Sequence, residues 1–268
     1  MTSRSITDLQ LAHLLADAAR ETILPYFRRS GQGLENKDLE GFDPVTAADR
    51  AAERAMRDLL RQHRPEDGIW GEEFGRIDGT SGRQWVLDPI DGTRAFISGT
   101  PTWGVLIALA ADDGPPVLGL IDQPYTGERF TGGPDIAEMT GPLGRRPLAT
   151  KPGRTLDQAI LFTTFPEVGS PAERAGFDAV AQQVRLTRYG MDCYAYALLA
   201  AGHIDLVIEA GLNAYDIQAP IAVIEAAGGV VTDWQGRPAH GGGRVLAAAN
   251  AGLHALALAI LKQTPEDW

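Results

Sequence analysis

The chain has 268 residues, 44% hydrophobic and 22% charged, enough for a sizeable core in one large domain or two subdomains. Its net charge of -11, from 24 basic and 35 acidic residues, excludes a nucleic-acid partner that relies on a basic stripe. A phosphorylated small molecule stays compatible with that charge if cations stand between carboxylates and phosphate.

The single cysteine, Cys193, leaves no intramolecular disulfide and fits a reducing cytoplasm. No apolar signal core follows Met1. The longest apolar stretch, 245–261, is broken by Asn250, Gly252 and His254, so no membrane partner is expected. Periodicity predicts a first helix over 7–27, with Leu11, Leu14, Leu15 and Ala18 inward and Pro25 bending or ending it. A polar, Gly-rich connection covers 30–42. A second helix starts at Thr46 as N-cap, with Asp49 three residues later and Ala48, Ala52, Ala55, Met56 and Leu59 at helical spacing.

A short strand over 84–87 runs into Asp88-Pro89-Ile90-Asp91-Gly92-Thr93. Strands over 103–110, 117–122 and 128–131, separated by Pro and Gly turns, make an antiparallel meander. A soft boundary at 142–152 divides the chain into 1–145 and 146–268, two parts of one compact unit. The second part alternates: strand 159–163, helix 172–183, helix 193–201, a half-buried strand over 204–209, helix 219–227, strand 245–249 and helix 253–262. The fold class is mixed α/β (α+β), with mixed and antiparallel sheets layered against helices.

The densest chemical signal is the hexapeptide. Asp88 and Asp91 leave the end of a strand, and carboxylate oxygens are the preferred ligands of hard cations such as Mg²⁺. Gly92 and Thr93 open a helical turn whose backbone N–H groups suit phosphate oxygens. A plain Asp/Pro/Gly turn explains the hexapeptide alone equally well. Further acids stand at element ends: Asp49, Glu72 and Glu73 after Gly71, and Asp216 after Tyr215. Other phosphatase chemistries are excluded by inspection. Cys193 lacks an arginine six residues on, no P-loop or Gly-x-Ser-x-Gly elbow exists, and the five histidines have no metal-ligand spacing. The i, i+3 spacing of Asp88 and Asp91 also fails the i, i+2 geometry of aspartyl-phosphate enzymes.

With these motifs in order, the sequence resembles the inositol monophosphatase family. Asp43-Pro44-Val45-Thr46-Ala47-Ala48-Asp49, Gly71-Glu72-Glu73, the hexapeptide, and Tyr215-Asp216 with Ala226-Ala227-Gly228-Gly229 are similar to its four motifs, with Tyr215 where the family usually has Trp. The resemblance implies a layered αβαβα fold, two to three Mg²⁺ ions, a homodimer in the cytoplasm, and hydrolysis of a small phosphate monoester by a metal-activated water. It implies that Glu72, Asp88 and the Ile90 carbonyl hold one ion, and that Asp88, Asp91 and Asp216 hold a second. Thr93, hydrogen-bonded to Asp49, would aim the water, Glu72 would share in catalysis, and Lys37 would lie near the phosphate.

Within the family, residues 94–109 and Gly190-Met191-Asp192-Cys193-Tyr194-Ala195-Tyr196 are most similar to the histidinol-phosphatase branch. Histidinol phosphate carries an ammonium and an imidazole, so its pocket wants acids. Asp192 and Glu209 are the candidates, with Asp91, Gly92, Thr93, Arg188 and Asp216 completing the expected substrate contacts and Arg94 a further phosphate or partner contact. The alternatives are an inositol or other sugar-phosphate phosphatase, and a non-catalytic metal-binding protein on the same fold.

Overall fold

A computed structural model describes residues 6–28, 35–36, 44–45, 47–111 and 114–265. Lys37, Asp43 and Thr46, and with them part of the first motif, lie outside the described residues.

Helix α1 (Asp8–Ile23) begins at a capping box between Thr7 and Gln10 and ends before Pro25. Two short strands, β1 (Glu35–Asn36) and β2 (Pro44–Val45), pair antiparallel ahead of α2 (Ala47–His63). The inward face of α1 is Leu11, Ala12, Leu15, Ala16, Ala19 and Ile23, a stripe that leaves the expected Leu14 and Ala18 at its margin. On α2 the apolar residues Ala48, Ala52, Met56 and Leu60 are buried, and so are Asp49, Glu53 and Arg57; Ala55 and Leu59 are only partly covered.

The hairpin β3 (Gly68–Gly71) and β4 (Gly75–Ile77) follows, where a loop was expected. Then come β5 (Arg83–Asp91) and α3 (Thr93–Ser98). The meander continues through β6 (Gly104–Ala111), β7 (Pro116–Gln123), β8 (Glu128–Gly133), β9 (Ile136–Gly141) and β10 (Gly144–Pro147). These strands form one sheet in the order β10-β9-β8-β7-β6-β5-β3-β4, antiparallel except for the parallel β3–β5 pair. The expected meander is thus longer by two strands, and β5 runs on into the hexapeptide as far as Asp91.

The second sheet collects β11 (Ile160–Thr163), β12 (Leu186–Tyr189), β13 (Leu206–Leu212), β14 (Val230–Thr232) and β15 (Gly243–Ala248), in the order β12-β11-β13-β15-β14. Between them run α4 (Pro171–Ala181), α5 (Asp192–Ala200) and α6 (Ala214–Ala226), with α7 (Ala251–Leu261) last. Strand β13 is buried on both faces over 206–209, not half-exposed. Its flanking acids are internal because each is partnered: Asp205 accepts from Ile160 N and faces Lys151 and Arg154, and Glu209 accepts from Thr163 and Thr164.

Three apolar clusters set the layers. One joins α1 and α2 to one face of the first sheet, the next packs α5 and α6 between the two sheets, and the third seats the outer face of the second sheet around Phe177, Trp234 and α7. The result is an αβαβα sandwich. Among the described residues no helix is long and apolar enough to cross a membrane.

Two glycines decide how α6 seats. Gly119 and Gly132 are cross-strand neighbours on β7 and β8. A Cβ at Gly119 would lie 2.4 Å from the Ala219 carbonyl oxygen, and one at Gly132 would lie 2.4 Å from Val223 Cα. The helix backbone therefore rests on the sheet with no side chain between. Gly132→Ala forces backbone apart and is expected to destabilise the fold by about 1–3 kcal/mol. Denaturant midpoints of the two proteins measure that loss.

Candidate active site

The strand periodicity of two would send Asp88 and Asp91 to opposite faces of β5. A bulge prevents this. Asp88 pairs with Leu106 and Asp91 with Gly104, so three steps on β5 oppose two on β6. Pro89, which has no N–H to give the ladder, sits inside that bulge. The extra residue turns both carboxylates to one side. Asp88 Oδ1 accepts from Ile90 N at 3.0 Å, which fixes its rotamer.

Asp91 is fixed from the other layer: its Oδ2 accepts from Cys193 N on α5 at 2.6 Å. Asp216 sits in the first turn of α6 and accepts from Asn213 N at 2.6 Å. Glu72 follows β3, and its own N–H donates to Leu87 O at 3.2 Å, next to Asp88. Asp49 comes from the first turn of α2. Ligand oxygens of Asp88, Asp91 and Asp216 lie within 4.8 Å of one another, as do those of Asp49, Glu72 and Asp88, so Asp88 is shared by both groups.

Such crowding is electrostatically unfavourable without cations. Burial raises the Asp88 carboxyl well above its ordinary range, and Glu72, Asp91, Asp216 and Asp49 push it further. Burial and then Asp216 and Asp192 do the same to Asp91. Burial, partly offset by the Asn213 amide, lifts Asp216 to about 7. A set of carboxylates with a nearby main-chain carbonyl is a hard oxygen donor set, which fits Mg²⁺ and suits neither soft nor redox metals.

Thr93 is placed differently from expectation. Its Oγ1 donates to Ile90 O at 3.3 Å rather than to Asp49. Gly92 has φ 86°, and a Cβ there would meet Asp192 Cβ at 2.8 Å, so glycine is required on both counts.

All of these groups except Asp49 line one cavity of ≈ 310 Å³, which also receives Arg94, Asp192, Glu209 and Phe165. Asp192 opens α5 with φ 46°, a left-handed conformation that Asp tolerates, and its Oδ2 accepts from Thr102 Oγ1 at 3.1 Å. Burial raises it to about 6, with Thr102 and Arg94 acting in the opposite direction. Burial likewise raises Glu209 to about 7, although Thr164 and Thr163 donate to it. Thr102, Thr163 and Thr164 carry no local sequence signal, since topology alone brings them to those acids. Phe165, whose ring lies 4.7 Å from the Arg94 guanidinium carbon, was likewise unmarked.

Arg188 is a correction. It lies on the exposed edge strand β12 and does not line the cavity. It is exposed because β12 is an edge strand of its sheet, with β11 as its neighbour among the described residues.

The sequence profile of the Inositol monophosphatase family matches residues 7–266. The chain belongs to that family. A histidinol-phosphatase of Streptomyces coelicolor is 35% identical over 96% of this chain and 98% of its own length. The bifunctional phosphatase IMPL2, chloroplastic, of Arabidopsis thaliana is 44% identical over 85% of this chain, which spans only 64% of that longer protein. An inositol monophosphatase structure from Zymomonas mobilis superposes with a TM-score of 0.83 at 44% identity, covering 95% of this chain and 97% of the other. The relatives include histidinol-phosphatases and inositol-1-monophosphatases, and the protein is a phosphoric monoester hydrolase. The family depends on metal, typically Mg²⁺, and the acidic cluster fits it.

The raised carboxyls give a pH prediction. A carboxyl raised in the folded state stabilises the fold below its unfolded pKa of about 4, and that contribution is lost as pH climbs through the folded value. In chelator, the melting temperature should therefore fall between about pH 4 and pH 7, where Asp192, Asp216 and Glu209 titrate. Saturating Mg²⁺ should remove most of the slope. Asp88→Asn should melt above the parent in chelator at pH 8 and gain less from Mg²⁺. Calorimetric melts with and without metal decide both points.

Proposed function

We propose that the protein hydrolyses L-histidinol phosphate to L-histidinol and phosphate, a step of histidine biosynthesis. The observation that carries this reading is the pair of acids, half-buried Asp192 and buried Glu209, on the same cavity as the carboxylate cluster. An ammonium group between them would relieve the repulsion that helps hold Glu209 up. A neutral polyol gives the pair no such compensation. Relatives named histidinol-phosphatase at 35–37% identity support the same substrate. The second reading is an inositol or other polyol phosphatase, favoured by the relatives named inositol-1-monophosphatase at 34–36% identity and by the capacity of Glu209 to accept from a hydroxyl.

On this proposal Glu72, Asp88, Asp91, Asp216 and the Ile90 carbonyl hold the metal. Two or three Mg²⁺ ions, when bound, supply an activated water and neutralise phosphoryl charge. The Gly92 and Thr93 amides bind phosphoryl oxygens, and the Thr93 hydroxyl orients the attacking water, with Asp49 in the neighbouring acid group rather than bonded to it. Asp91 and Asp216 border the leaving hydroxyl, and Asp192 and Glu209 receive the amine and ring. The first 145 residues then supply most of the cluster and residues 146–268 complete it through Asp216. We take the protein to act as a cytoplasmic homodimer, for which the support is the family resemblance and the exposed apolar side chains Leu186 and Tyr189 on β12.

A phosphate-release panel tests the proposal. L-histidinol phosphate should exceed inositol 1-phosphate by about tenfold or more in kcat/KM, the margin expected from one charge-assisted hydrogen bond; the reverse order would overturn the assignment. Asp192→Asn should lower kcat/KM for histidinol phosphate by about 10–100-fold and leave 4-nitrophenyl phosphate within about twofold. An equal loss on both substrates removes Asp192 from recognition.

A further inference from the structure

Helix α2 places three charged residues, Asp49, Glu53 and Arg57, four apart on one buried face. Asp49 reaches the carboxylate cluster, as described above. The other two do not touch it. The Glu53 carboxylate instead occupies the turn between β3 and β4: its Oε2 accepts from Glu73 N at 2.7 Å and its Oε1 from Phe74 N at 3.2 Å. Arg57, buried one turn further on, donates to Glu53 Oε1 at 2.7 Å and also to Gly75 O.

The same carboxylate explains why a glycine precedes Glu72. A Cβ at Gly71 would lie 2.0 Å from Glu53 Oε1 and 2.6 Å from Oε2. Glu53 therefore fills the space where residue 71 would carry a side chain, and then grips the two amides that follow Glu72. On its other side Glu72 is tied to Leu87 O. The backbone of this one cluster residue is thus clamped from both directions, by β5 and by α2. A buried carboxylate is costly unless fully hydrogen-bonded, and Glu53 is partnered on both oxygens.

We infer that Glu53, braced by Arg57, is a positioning residue that presets Glu72 for the metal before any ion arrives. The inference rests on the reading of Glu72 as a metal ligand. Glu53 touches neither metal nor substrate on this account. Its effect is read in metal affinity, because groups that orient a ligand typically govern about 10–100-fold of it.

The test is Mg²⁺ binding to the full chain without substrate, followed calorimetrically. Glu53→Gln keeps the side chain's size and loses one acceptor. It should raise the Mg²⁺ Kd about tenfold or more, and kcat at saturating Mg²⁺ should return to within about threefold of the parent. Gly71→Ala, which displaces the carboxylate, should weaken Mg²⁺ binding similarly, and the double variant should be no worse than the more affected single. Asp122→Asn, in a buried ion-pair network with Arg20 and Arg129, is the control for lost stability and should bind Mg²⁺ as the parent does. Unchanged affinity in Glu53→Gln, or equal loss in the control, overturns the inference.

The parent alone supplies an arm that needs no variant to fold. Hydrogen exchange at the Glu73 and Phe74 amides should already be slow in chelator, and exchange that slows only when Mg²⁺ is added overturns the presetting. Glu72→Gln separates the two levels. If it leaves Mg²⁺ affinity intact, the ligand assignment of Glu72 has failed; if it weakens binding while Glu53→Gln does not, the positioning role alone has failed.

Discussion

Like charges held together in a largely covered cluster are the constraint around which this molecule is arranged. Asp88 shares two groups of carboxylates, each with oxygens within 4.8 Å of one another. At that separation two unit charges repel by on the order of 3 kcal/mol even at an effective dielectric of 20. A few such pairs rival the whole stability of an ordinary domain, about 5–15 kcal/mol. The carboxyls respond by holding protons to higher pH, and cations remove the need. What the polypeptide contributes is the refusal to relax. Four of the acids are tied by a backbone N–H, either to the carboxylate or along the acid's own main chain. Ile90 N holds Asp88, Cys193 N holds Asp91, Asn213 N holds Asp216, and the Glu72 main chain is itself bound to Leu87.

Those ties come from different layers, which is why the sandwich matters to the chemistry. The bulge in β5 belongs to the first sheet, and Asp91 is anchored by the middle helical layer. Asp216 rides on α6, whose height over the sheet is set by the bare backbone contact at Gly119 and Gly132. A change in that height would move one ligand relative to the others by a comparable distance. The glycines therefore act on the metal site through rigid-body placement, although neither lines the cavity.

How much of this was legible follows from distance along the chain. The hexapeptide could be read because two ligands, the bulge-forming proline and the left-handed Gly92 all fall within six residues. Asp216 could be read only by resemblance, since nothing in Tyr215-Asp216 says that α6 will dock beside β5. Glu53 was illegible: its partners are the amides of residues 73 and 74, and amides leave no mark in a sequence. The helical faces were read with a small rotation because alanine-rich α2 buries Asp49, Glu53 and Arg57 as readily as its apolar residues. Strand β13 looked half-buried because Asp205 and Glu209 alternate with apolar neighbours, yet both acids are internal and hydrogen-bonded. Arg188 was misplaced for a related reason. A four-residue edge strand with mixed chemistry does not announce which way it faces.

The division between chemistry and recognition is the remaining consequence. Asp192 and Cys193 are adjacent, yet the first directs a carboxylate into the cavity while the second spends its backbone N–H on Asp91. The positive φ at Asp192 makes both possible, by turning its side chain back over Gly92 as the helix begins. Because the tie to Asp91 is made by a main-chain group, the side chain at 192 can change without releasing the ligand. Glu209 is separable in the same way. It is held by Thr163 and Thr164 on the second sheet, apart from the bulge that aims Asp88 and Asp91. On the proposed substrate reading, a scaffold built like this exchanges a charged pocket for a neutral one by altering two positions, with the backbone ties of the acidic cluster left intact.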